Sequence, residues 1–365
     1  MKLACTQENL NRGLNIVGRM VSRNSTLPVL GNVLLKTETG GLRLTATDLE
    51  LGVSCLVGGK VEEKGEITIP ARLLTDYINQ LPKERVALKV DGKELQVSCE
   101  ASKAQIKGIS ADEFPLIPQV ESAFEVVIPA GPFKDAIQQV AFAAAHDESR
   151  PELTGVFVQF LPNKCILAST DSFRLAEKTI LCKNAGNERQ VILPSKTLLE
   201  LARIIEAEGE VKIRLSDNQA LFTYQDVELI SRLLEGQYPE YKDIIPQDLM
   251  TKATINREEF ITAVRAAGIF SKSGAQDVRL RIDPTKKTLL LNADASQVGG
   301  HEQEIPGKIQ GPQDEVVFNY RYLLEGLQAL TGEHVIFETG GNSSPGKLSS
   351  TKDENYLYIL MPIKM

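Results

Sequence analysis

The chain has 365 residues, of which 42% are hydrophobic and 24% charged, and its formal net charge is −7. This composition excludes a disordered chain, predicts two or three globular domains, and argues against binding of nucleic acid by bulk electrostatics, although segregated charge leaves DNA open as a partner. The amino-terminal residues lack the apolar core of a signal peptide and no apolar run is long enough to span a membrane, so we expect a cytoplasmic protein.

The first predicted elements form a helix, a set of strands and a second helix. An amphipathic helix is predicted over residues 7–21, where apolar residues such as Leu10 and Leu14 recur at helical spacing. Three alternating strands follow, and Asp48 stands at the end of the second strand. A β-branched strand then runs through Pro70 into another amphipathic helix.

The same order of elements recurs twice further along the chain. Asp171 and Asp294 follow the corresponding strands at equal spacing, and Pro194 and Asn319 precede the corresponding second helices. A repeat of about 120 residues is too long for a solenoid unit and suits a compact domain. The predicted domains are residues 1–121, 122–248 and 249–365.

Each repeat is predicted to contain two helices and about eight strands. Helices covering one face of antiparallel sheets give an α+β fold class. Three such modules joined end to end make a modular crescent, and if its two ends are complementary, two copies can close by symmetry as a ring-shaped homodimer.

The sequence lacks the signs of a catalytic centre. The three histidines, His146, His301 and His334, show no metal-ligand spacing, and no Gly-rich loop has the pattern that binds phosphate. The five cysteines form no C-x-x-C pair and are predicted to be buried free thiols, which fits a reducing compartment. We therefore expect no catalytic residues, no metal and no cofactor.

The repeated aspartates have two interpretations. Asp48, Asp171 and Asp294 could be acid catalysts or metal ligands, but an Asp at a strand end also accepts hydrogen bonds from nearby backbone N–H groups. The turn-forming role is favoured because a triplicated turn is commoner than a triplicated active site.

Basic residues mark candidate DNA-facing positions on the second helices. Arg72 opens this helix in the first repeat, and Lys196 and Arg203 share one face of the helix in the second repeat. A solvated helix face carries similar charges, so this pattern alone is weak. The sequence has no interleaved aromatic platform, which argues against sequence-specific readout.

Several short segments resemble the bacterial β sliding clamps. TLPVLGNVLL followed by LTATDLE is similar to the first-domain signature of that family. TDSFRL, YPEY and the ending YILMPIKM are similar to later family motifs, and all of these matches lie in order across essentially the whole chain. The resemblance implies a non-enzymatic processivity factor that encircles duplex DNA, without sequence-specific readout, as a head-to-tail homodimer of three-domain chains.

The resemblance also implies a pocket on the second and third domains that binds short linear motifs. Its expected partners are the DNA polymerase III α subunit, the clamp loader, and other polymerases and repair factors. Carried over by position, the pocket contains Leu153, Thr170, Arg174, Leu175, Pro239, Ile244, Asn319, Tyr322, Ile359, Met361, Pro362 and Ile363. Mostly aliphatic walls with a few polar groups suit a short hydrophobic peptide.

The chain departs from the family pattern at four positions. Ser172 and Phe173 replace the commoner Gly and His, Asp243 stands where many members have a basic residue, and Met365 replaces the usual terminal Leu. We expect the pocket to exist with an altered motif preference.

The resemblance further implies a dimer interface and a DNA-facing surface. Ring closure would place a late strand of the first domain, around Ile106, against Ile269 and Phe270 at the end of the third domain's first helix. The DNA-facing candidates are Arg23, Asn24, Arg72, Arg150, Lys196 and Arg203.

Two other classes of protein remain open. A metal-dependent enzyme would use the three repeated aspartates and would lose turnover on Asp→Asn substitution. A three-domain interaction scaffold that does not encircle DNA would be a stable monomer at micromolar concentration.

Overall fold

The structure is a computed structural model that describes residues 1–21, 27–117, 120–121, 124–184, 188–271, 276–295 and 299–364. Within these ranges, no helix combines the length and the apolar character needed to cross a membrane. The chain divides into two compact units, one of Met1–Gly131 with Arg203–Leu233 and one of Pro132–Ala202 with Leu234–Met365.

Six α-helices are present in the described residues, two in each predicted repeat. They are α1 (Gln7–Val17), α2 (Ala71–Asn79), α3 (Ala130–Val140), α4 (Ser195–Ile204), α5 (Arg257–Ile269) and α6 (Tyr320–Ala329).

The strands of the first two repeats are short and numerous. They are β1 (Lys2–Thr6), β2 (Asn32–Glu38), β3 (Gly41–Thr47), β4 (Leu51–Gly58), β5 (Lys60–Glu63), β6 (Glu66–Pro70), β7 (Arg85–Asp91), β8 (Glu94–Cys99), β9 (Ser102–Lys107), β10 (Phe124–Pro129), β11 (Gly155–Phe160), β12 (Lys164–Thr170), β13 (Arg174–Leu181), β14 (Lys183–Asn184), β15 (Arg189–Pro194), β16 (Glu210–Leu215), β17 (Gln219–Tyr224) and β18 (Val227–Arg232).

The third repeat contains eight strands, one of them unusually long. They are β19 (Thr251–Asn256), β20 (Asp277–Asp283), β21 (Thr288–Ala295), β22 (Gly299–Gln310), β23 (Asp314–Asn319), β24 (His334–Thr339), β25 (Gly346–Ser350) and β26 (Tyr356–Leu360). The long strand β22 takes the place of the two strands β4 and β5 of the first repeat.

Side-chain caps fix where several helices begin. Thr6 Oγ1 accepts a hydrogen bond from the Asn9 N–H at the start of α1, and Asn319 Oδ1 accepts from the Arg321 N–H at the start of α6. The predicted first helix was too long, because α1 ends at Val17 and a short 3₁₀ turn follows.

The first unit contains two antiparallel sheets. One has the order β5-β1-β7-β8-β9, and in the other the strands of this unit run β10-β16-β17-β18-β4-β3-β2-β6. Helix α1 packs closely on β4, since a Cβ at Gly13 would lie 2.6 Å from Val57 Cγ2. This close approach explains a glycine in the middle of a helix.

The second unit is built on one twelve-stranded sheet. Its order is β15-β11-β12-β13-β26-β25-β24-β19-β22-β21-β20-β23. Its largest fully buried side chains include Phe260, Phe318 and Phe337, and the Phe318 and Phe337 rings meet edge to face at 6.0 Å.

Strand pairing explains why two compact units contain three repeats. In the first unit β4 of the first repeat pairs with β18 of the second, with Gly52 opposite Ile230. In the second unit β13 of the second repeat pairs with β26 of the third, with Leu175 opposite Ile359. The middle repeat therefore contributes one sheet to each unit.

Candidate peptide-binding site

The site begins at the turn between β12 and β13. Asp171 Oδ1 accepts hydrogen bonds from the N–H groups of Phe173 and Arg174, both at 3.0 Å. Asp48 Oδ1 accepts equivalent bonds from Glu50 and Leu51 at 3.1 and 2.8 Å. The structure thus shows these two aspartates in the turn-forming role that the sequence favoured. Asp294 lies within β21, paired with Gly300.

The turn directs the guanidinium of Arg174 inward. The Arg174 side chain is 4% exposed, its Nε lies 2.9 Å from Asp171 Oδ2, and a second ion pair joins it to Glu325. The guanidinium also donates to the Phe142 carbonyl at 2.9 Å and lies 4.5 Å from the centre of the Tyr322 ring. A cation over an aromatic face is attracted to it, so Arg174 holds Tyr322 in place.

The charge of Arg174 is secured by its surroundings. Burial lowers the pKa of Arg174, but the Tyr358 hydroxyl and the carboxylates of Glu325 and Asp171 outweigh burial and raise that pKa above its usual value. Glu325 and Phe142 were missed by the sequence reasoning. Glu325 could have been found, because it lies one helical turn after Tyr322 on α6.

An exposed aromatic pair forms one edge of the site. The Phe173 ring stacks on Tyr322 with centroids 6.4 Å apart and planes 23° apart, yet Phe173 is 60% exposed. The Met361 N–H donates to the Phe173 carbonyl at 2.9 Å, which fixes the carboxyl-terminal segment beside this edge. Phe173 therefore places a large apolar ring at the mouth of the site.

The floor of the site is a closed hydrophobic cluster. Leu153, Leu175 and Ile359 are at most 2% exposed, and they pack with Tyr238 and Tyr241. The Tyr238 hydroxyl accepts a hydrogen bond from the Thr170 N–H at 3.0 Å, which ties the cluster to the turn. These three aliphatic residues, named from the sequence as pocket residues, support the site from below, since their side chains are not open to solvent.

The accessible apolar surface comes from half-buried residues around this floor. Ile244 packs against the cluster from outside. Pro239, Met361, Pro362 and Ile363 are also half-buried. The Ile363 N–H donates to the Val317 carbonyl of β23 at 2.8 Å, so the tail is held as an extended strand-like segment.

Asn319 has a structural role within the same region. Its side chain caps α6, the helix that carries Tyr322 and Glu325. All twelve residues carried over for the pocket lie in the second unit.

The basic candidates for a DNA-facing surface are scattered. Arg72 is largely exposed and lies 3.7 Å from Asp76 on α2, and Lys196 and Arg203 are exposed on α4. Arg150 instead lies beside the site, where its guanidinium donates to Ser172 Oγ at 3.4 Å and pairs with Glu152 at 3.2 Å. The remaining two candidates, Arg23 and Asn24, lie outside the described residues.

The candidate dimer residues differ in accessibility. Ile269 is 76% exposed at the end of α5, whereas Ile106 is 5% exposed and packs within its own sheet. The Phe270 ring stacks on His301 of β22 with centroids 5.9 Å apart. Strand β9 can therefore contribute its backbone edge, but not the Ile106 side chain, to an interface.

All five cysteines are free and buried, as the sequence indicated. Across the described residues, no group of three or more His, Cys, Asp or Glu side chains is placed to hold a metal ion.

Three family models match the chain in succession. The N-terminal, central and C-terminal domains of the DNA polymerase III beta subunit match residues 1–118, 127–240 and 242–364. The chain belongs to the DNA polymerase III beta subunit family. A beta sliding clamp from Synechococcus elongatus is 35% identical over 375 residues and covers 100% of both chains. One from Bacillus subtilis is 28% identical, again with 100% of both chains covered.

Solved structures agree with the family. A DNA polymerase sliding clamp from Bacillus subtilis has a TM-score of 0.94 at 26% identity, covering 100% of this chain and 99% of the other. A Pseudomonas aeruginosa DNA polymerase III subunit beta bound to griselimycin has a TM-score of 0.95 at 28% identity with full coverage of both chains. Membership confirms the α+β fold of three tandem clamp domains and the function of a non-enzymatic processivity clamp.

Proposed function

We propose that two copies of this chain close head to tail around duplex DNA and tether polymerases and repair proteins through the site around Arg174 and Tyr322. The observation that carries this proposal is the use of strand edges. At both junctions an edge strand of one repeat pairs with an edge strand of the next repeat, β4 with β18 and β13 with β26.

Two edges of the same kinds remain at the ends of the series. The first is the edge of β9 that faces away from β8. The second is the edge of β22 that faces away from β21, over residues 299–306. No strand in the described part of the chain pairs with either edge. Unpaired edges are templates for another chain. Pairing β9 of one copy with β22 of another would repeat the existing junction twice more and close a dimer.

The residues near these edges support this pairing. Ile269 is the most accessible apolar residue of α5, and Phe270 stacks on His301 of β22. We assign Ile269, Phe270 and the strand around Ile106 to the dimer interface, with Ile106 acting through the backbone of β9.

Holding DNA by encirclement does not need a strongly basic protein. The chain is acidic overall, with a formal net charge of −7, which discourages DNA from binding to its outside. A few exposed cations facing the duplex give weak phosphate contacts that fix no register and permit sliding. Arg72, Lys196 and Arg203 are our candidates for these contacts, with Arg23, Asn24 and Arg150 as further members.

The pocket supplies the tether. Its rim of Pro239, Ile244, Met361, Pro362 and Ile363 suits apolar side chains of a short extended peptide. Phe173 and Tyr322 give it an aromatic edge, which the buried Arg174 holds in place. Proteins held in this way rebind at high effective concentration. The proposed partners are the DNA polymerase III α subunit, the clamp loader, and other polymerases and repair factors, which places the protein at the cytoplasmic nucleoid.

The domain limits follow from the same organisation. We propose residues 1–121, 122–248 and 249–365 as the three domains. The family models, which match 1–118, 127–240 and 242–364, support these limits to within eight residues.

Loading onto DNA of different topology tests the proposal. After loading by a clamp loader, the protein should stay on a nicked circle and leave once that circle is cut to a linear molecule. The Ile269→Asp variant provides the control, because it changes an exposed residue and should prevent retention without disturbing the fold. Equal loss from circular and linear DNA would refute encirclement.

A further inference from the structure

The first strand junction carries its own cleft, separate from the site around Arg174. It has a volume of about 260 Å³ and lies between the turn after β3, the segment that follows the 3₁₀ turn at Ala111–Glu113, and β18. Its apolar lining includes Leu49, Ile117 and Ile230. All of its lining residues belong to the first unit.

This cleft occupies the position in its junction that the peptide-binding site occupies in the other. Gly52 lies opposite Ile230 in one junction, and Leu175 lies opposite Ile359 in the other. The next backbone hydrogen bond between the paired strands is also equivalent in the two junctions. The Arg232 N–H donates to the Glu50 carbonyl at 3.2 Å, just as the N–H of Met361 donates to the carbonyl of Phe173.

The turn backbones match as well. Leu49 has φ of 80° and its counterpart Ser172 has φ of 75°, so both residues are in the left-handed region. A leucine there costs about 1–2 kcal/mol relative to an ordinary conformation. Leu49 is also 49% exposed, which leaves apolar surface in water. An unfavourable backbone that presents an apolar side chain points to a use for that side chain.

Three residues of the cleft differ in chemical type from the residues at equivalent positions of the other junction. Gly52 replaces Leu175, and Ile117 covers the glycine, with its Cδ1 3.1 Å from the position of a Cβ. Arg232 replaces Met361 and Glu50 replaces Phe173. The cleft therefore keeps aliphatic lining residues but also has a cation and a carboxylate in its lining.

The cation is available to a ligand. Arg232 is exposed, and among the described residues its guanidinium makes no ion pair and no side-chain hydrogen bond. Leu116, the neighbour of Ile117, is 97% exposed and adds apolar surface at the rim. A guanidinium next to aliphatic surface recognises a carboxylate attached to an aliphatic segment.

We infer that this cleft is a second docking site for a short linear peptide of another protein, one that places a carboxylate on Arg232 and aliphatic side chains on Leu49, Ile117 and Ile230. This second site is distinct from the proposed tethering site, because it binds an acidic–aliphatic segment at a different junction. A partner carrying both kinds of segment could be held at two points of one chain, which raises its effective affinity without new contacts at the first site.

Titration with matched peptide pools tests the inference on the full-length protein carrying ¹³C-labelled Ile and Leu methyl groups. Both pools are acetylated pentapeptide amides with Leu or Ile at two positions, and they differ only in Asp or Asn at a third. The Asp pool should shift the methyl resonances of Leu49, Ile117 and Ile230 with at least fivefold higher affinity than the Asn pool. The Arg232→Gln variant should remove that difference.

Control variants separate this cleft from the other site. Met361→Ala should leave the Asp-pool shifts at Leu49 and Ile230 unchanged, and Glu50→Gln should retain or strengthen them because a nearby like charge is removed. The inference fails if neither pool moves these methyl groups at millimolar concentration, if Arg232→Gln has no effect, or if the same shifts appear on concentrating the protein alone, which would indicate a second copy as the occupant.

Discussion

The two strand junctions, β4 with β18 and β13 with β26, share one backbone design and differ in their side chains. At equivalent positions the first has Leu51, Gly52 and Arg232, and the second has Arg174, Leu175 and Met361. In the second junction the arginine is buried beneath aromatic rings, whereas in the first it is exposed at the surface. The same backbone thus presents two proposed binding surfaces that differ in where the cation and the apolar side chains lie.

The junctions also differ in how their ion pairs are solvated. Arg43 pairs with Glu38 at 2.7 Å and with Glu228 at 3.3 Å in the first junction, where all three side chains are between 26% and 45% exposed. In the second, Lys178 and Asp353 form an ion pair with side chains 12% and 16% exposed. Buried pairs leave a costly unpaired charge when one partner is removed, whereas exposed pairs contribute little.

The largest expected effect is that of removing the buried arginine. Arg174→Ala should lower the opening free energy of the β13·β26 pairing by about 4 kcal/mol, because Asp171 loses its buried partner and Tyr322 loses its support. Arg43→Ala should lower that of β4·β18 by less than about 1 kcal/mol. Native-state amide exchange of Tyr356–Leu360 and Val227–Arg232 measures both, and equal effects would remove the distinction between the junctions.

A second prediction compares alanine substitutions at the equivalent positions Leu175 and Gly52, which lie opposite Ile359 and Ile230. Leu175→Ala should destabilise the protein by about 3 kcal/mol, because it opens a cavity in a closed cluster. Gly52→Ala should cost less than about 1 kcal/mol, since only the flexible end of Ile117 must move. Thermal unfolding of the two variants measures these costs. A larger loss for Gly52→Ala would show that the first junction is the more tightly packed.

Binding of the polymerase segment should depend on the second junction only. Met361→Ala should remove apolar contact at the rim and so weaken the binding of a fluorescent peptide taken from the clamp-binding segment of the replicative polymerase. The affinity should fall about tenfold, or by about 1.4 kcal/mol. Arg232→Ala should leave that affinity unchanged. Fluorescence anisotropy measures the affinities, while mass measurement checks that both variants keep the oligomeric state of the wild type. If Arg232→Ala weakened the peptide equally, the peptide would not be confined to the second junction.

The smallest predicted effect concerns pH at the first junction. Burial, together with the nearby carboxylate of Asp226, raises the pKa of the Cys55 thiol to about 12 from 9.0. Because the folded-state pKa is raised, the contribution of Cys55 to stability is complete below pH 9 and declines as pH rises toward 12.

At pH 9.5 this loss should be about 0.8 kcal/mol relative to pH 8. Urea unfolding of the wild type and of Cys55→Ala at both pH values isolates the contribution, because the other four cysteines are the same in both proteins. An identical pH dependence in the two proteins would show that the thiol does not titrate differently on folding.

The helices and turns of each repeat could be predicted from the sequence, because they depend on local residue patterns. Helical periodicity and the residues Pro70, Pro194 and Asn319 marked the second helix of each repeat, and each of these residues directly precedes a helix in the structure. Asp48 and Asp171 were correctly interpreted as turn formers, since an Asp at a strand end has nearby N–H groups to accept from. Asp294 instead lies within β21, opposite Gly300.

The features that were missed depend on contacts distant in sequence. The sequence does not indicate that the middle repeat shares a sheet with each neighbour, because strand order is not encoded in alternation. It named Leu175 and Ile359 as pocket residues without showing that they are fully buried. The position of Arg150 beside Ser172 likewise follows from a loop conformation that no periodicity specifies.

The most direct test of the shared junction design is covalent closure of the proposed dimer. Single cysteines placed on β9, at Lys103 or Gln105, and on β22, at Glu302 or Glu304, can be oxidised with little background because the five native thiols are buried. At least one such pair should give a covalently closed ring that, once loaded on circular DNA, survives denaturant and is released only when the DNA is cut. Failure of every pair to form cross-linked dimers, or release of the cross-linked protein from uncut circles by denaturant, would contradict the account.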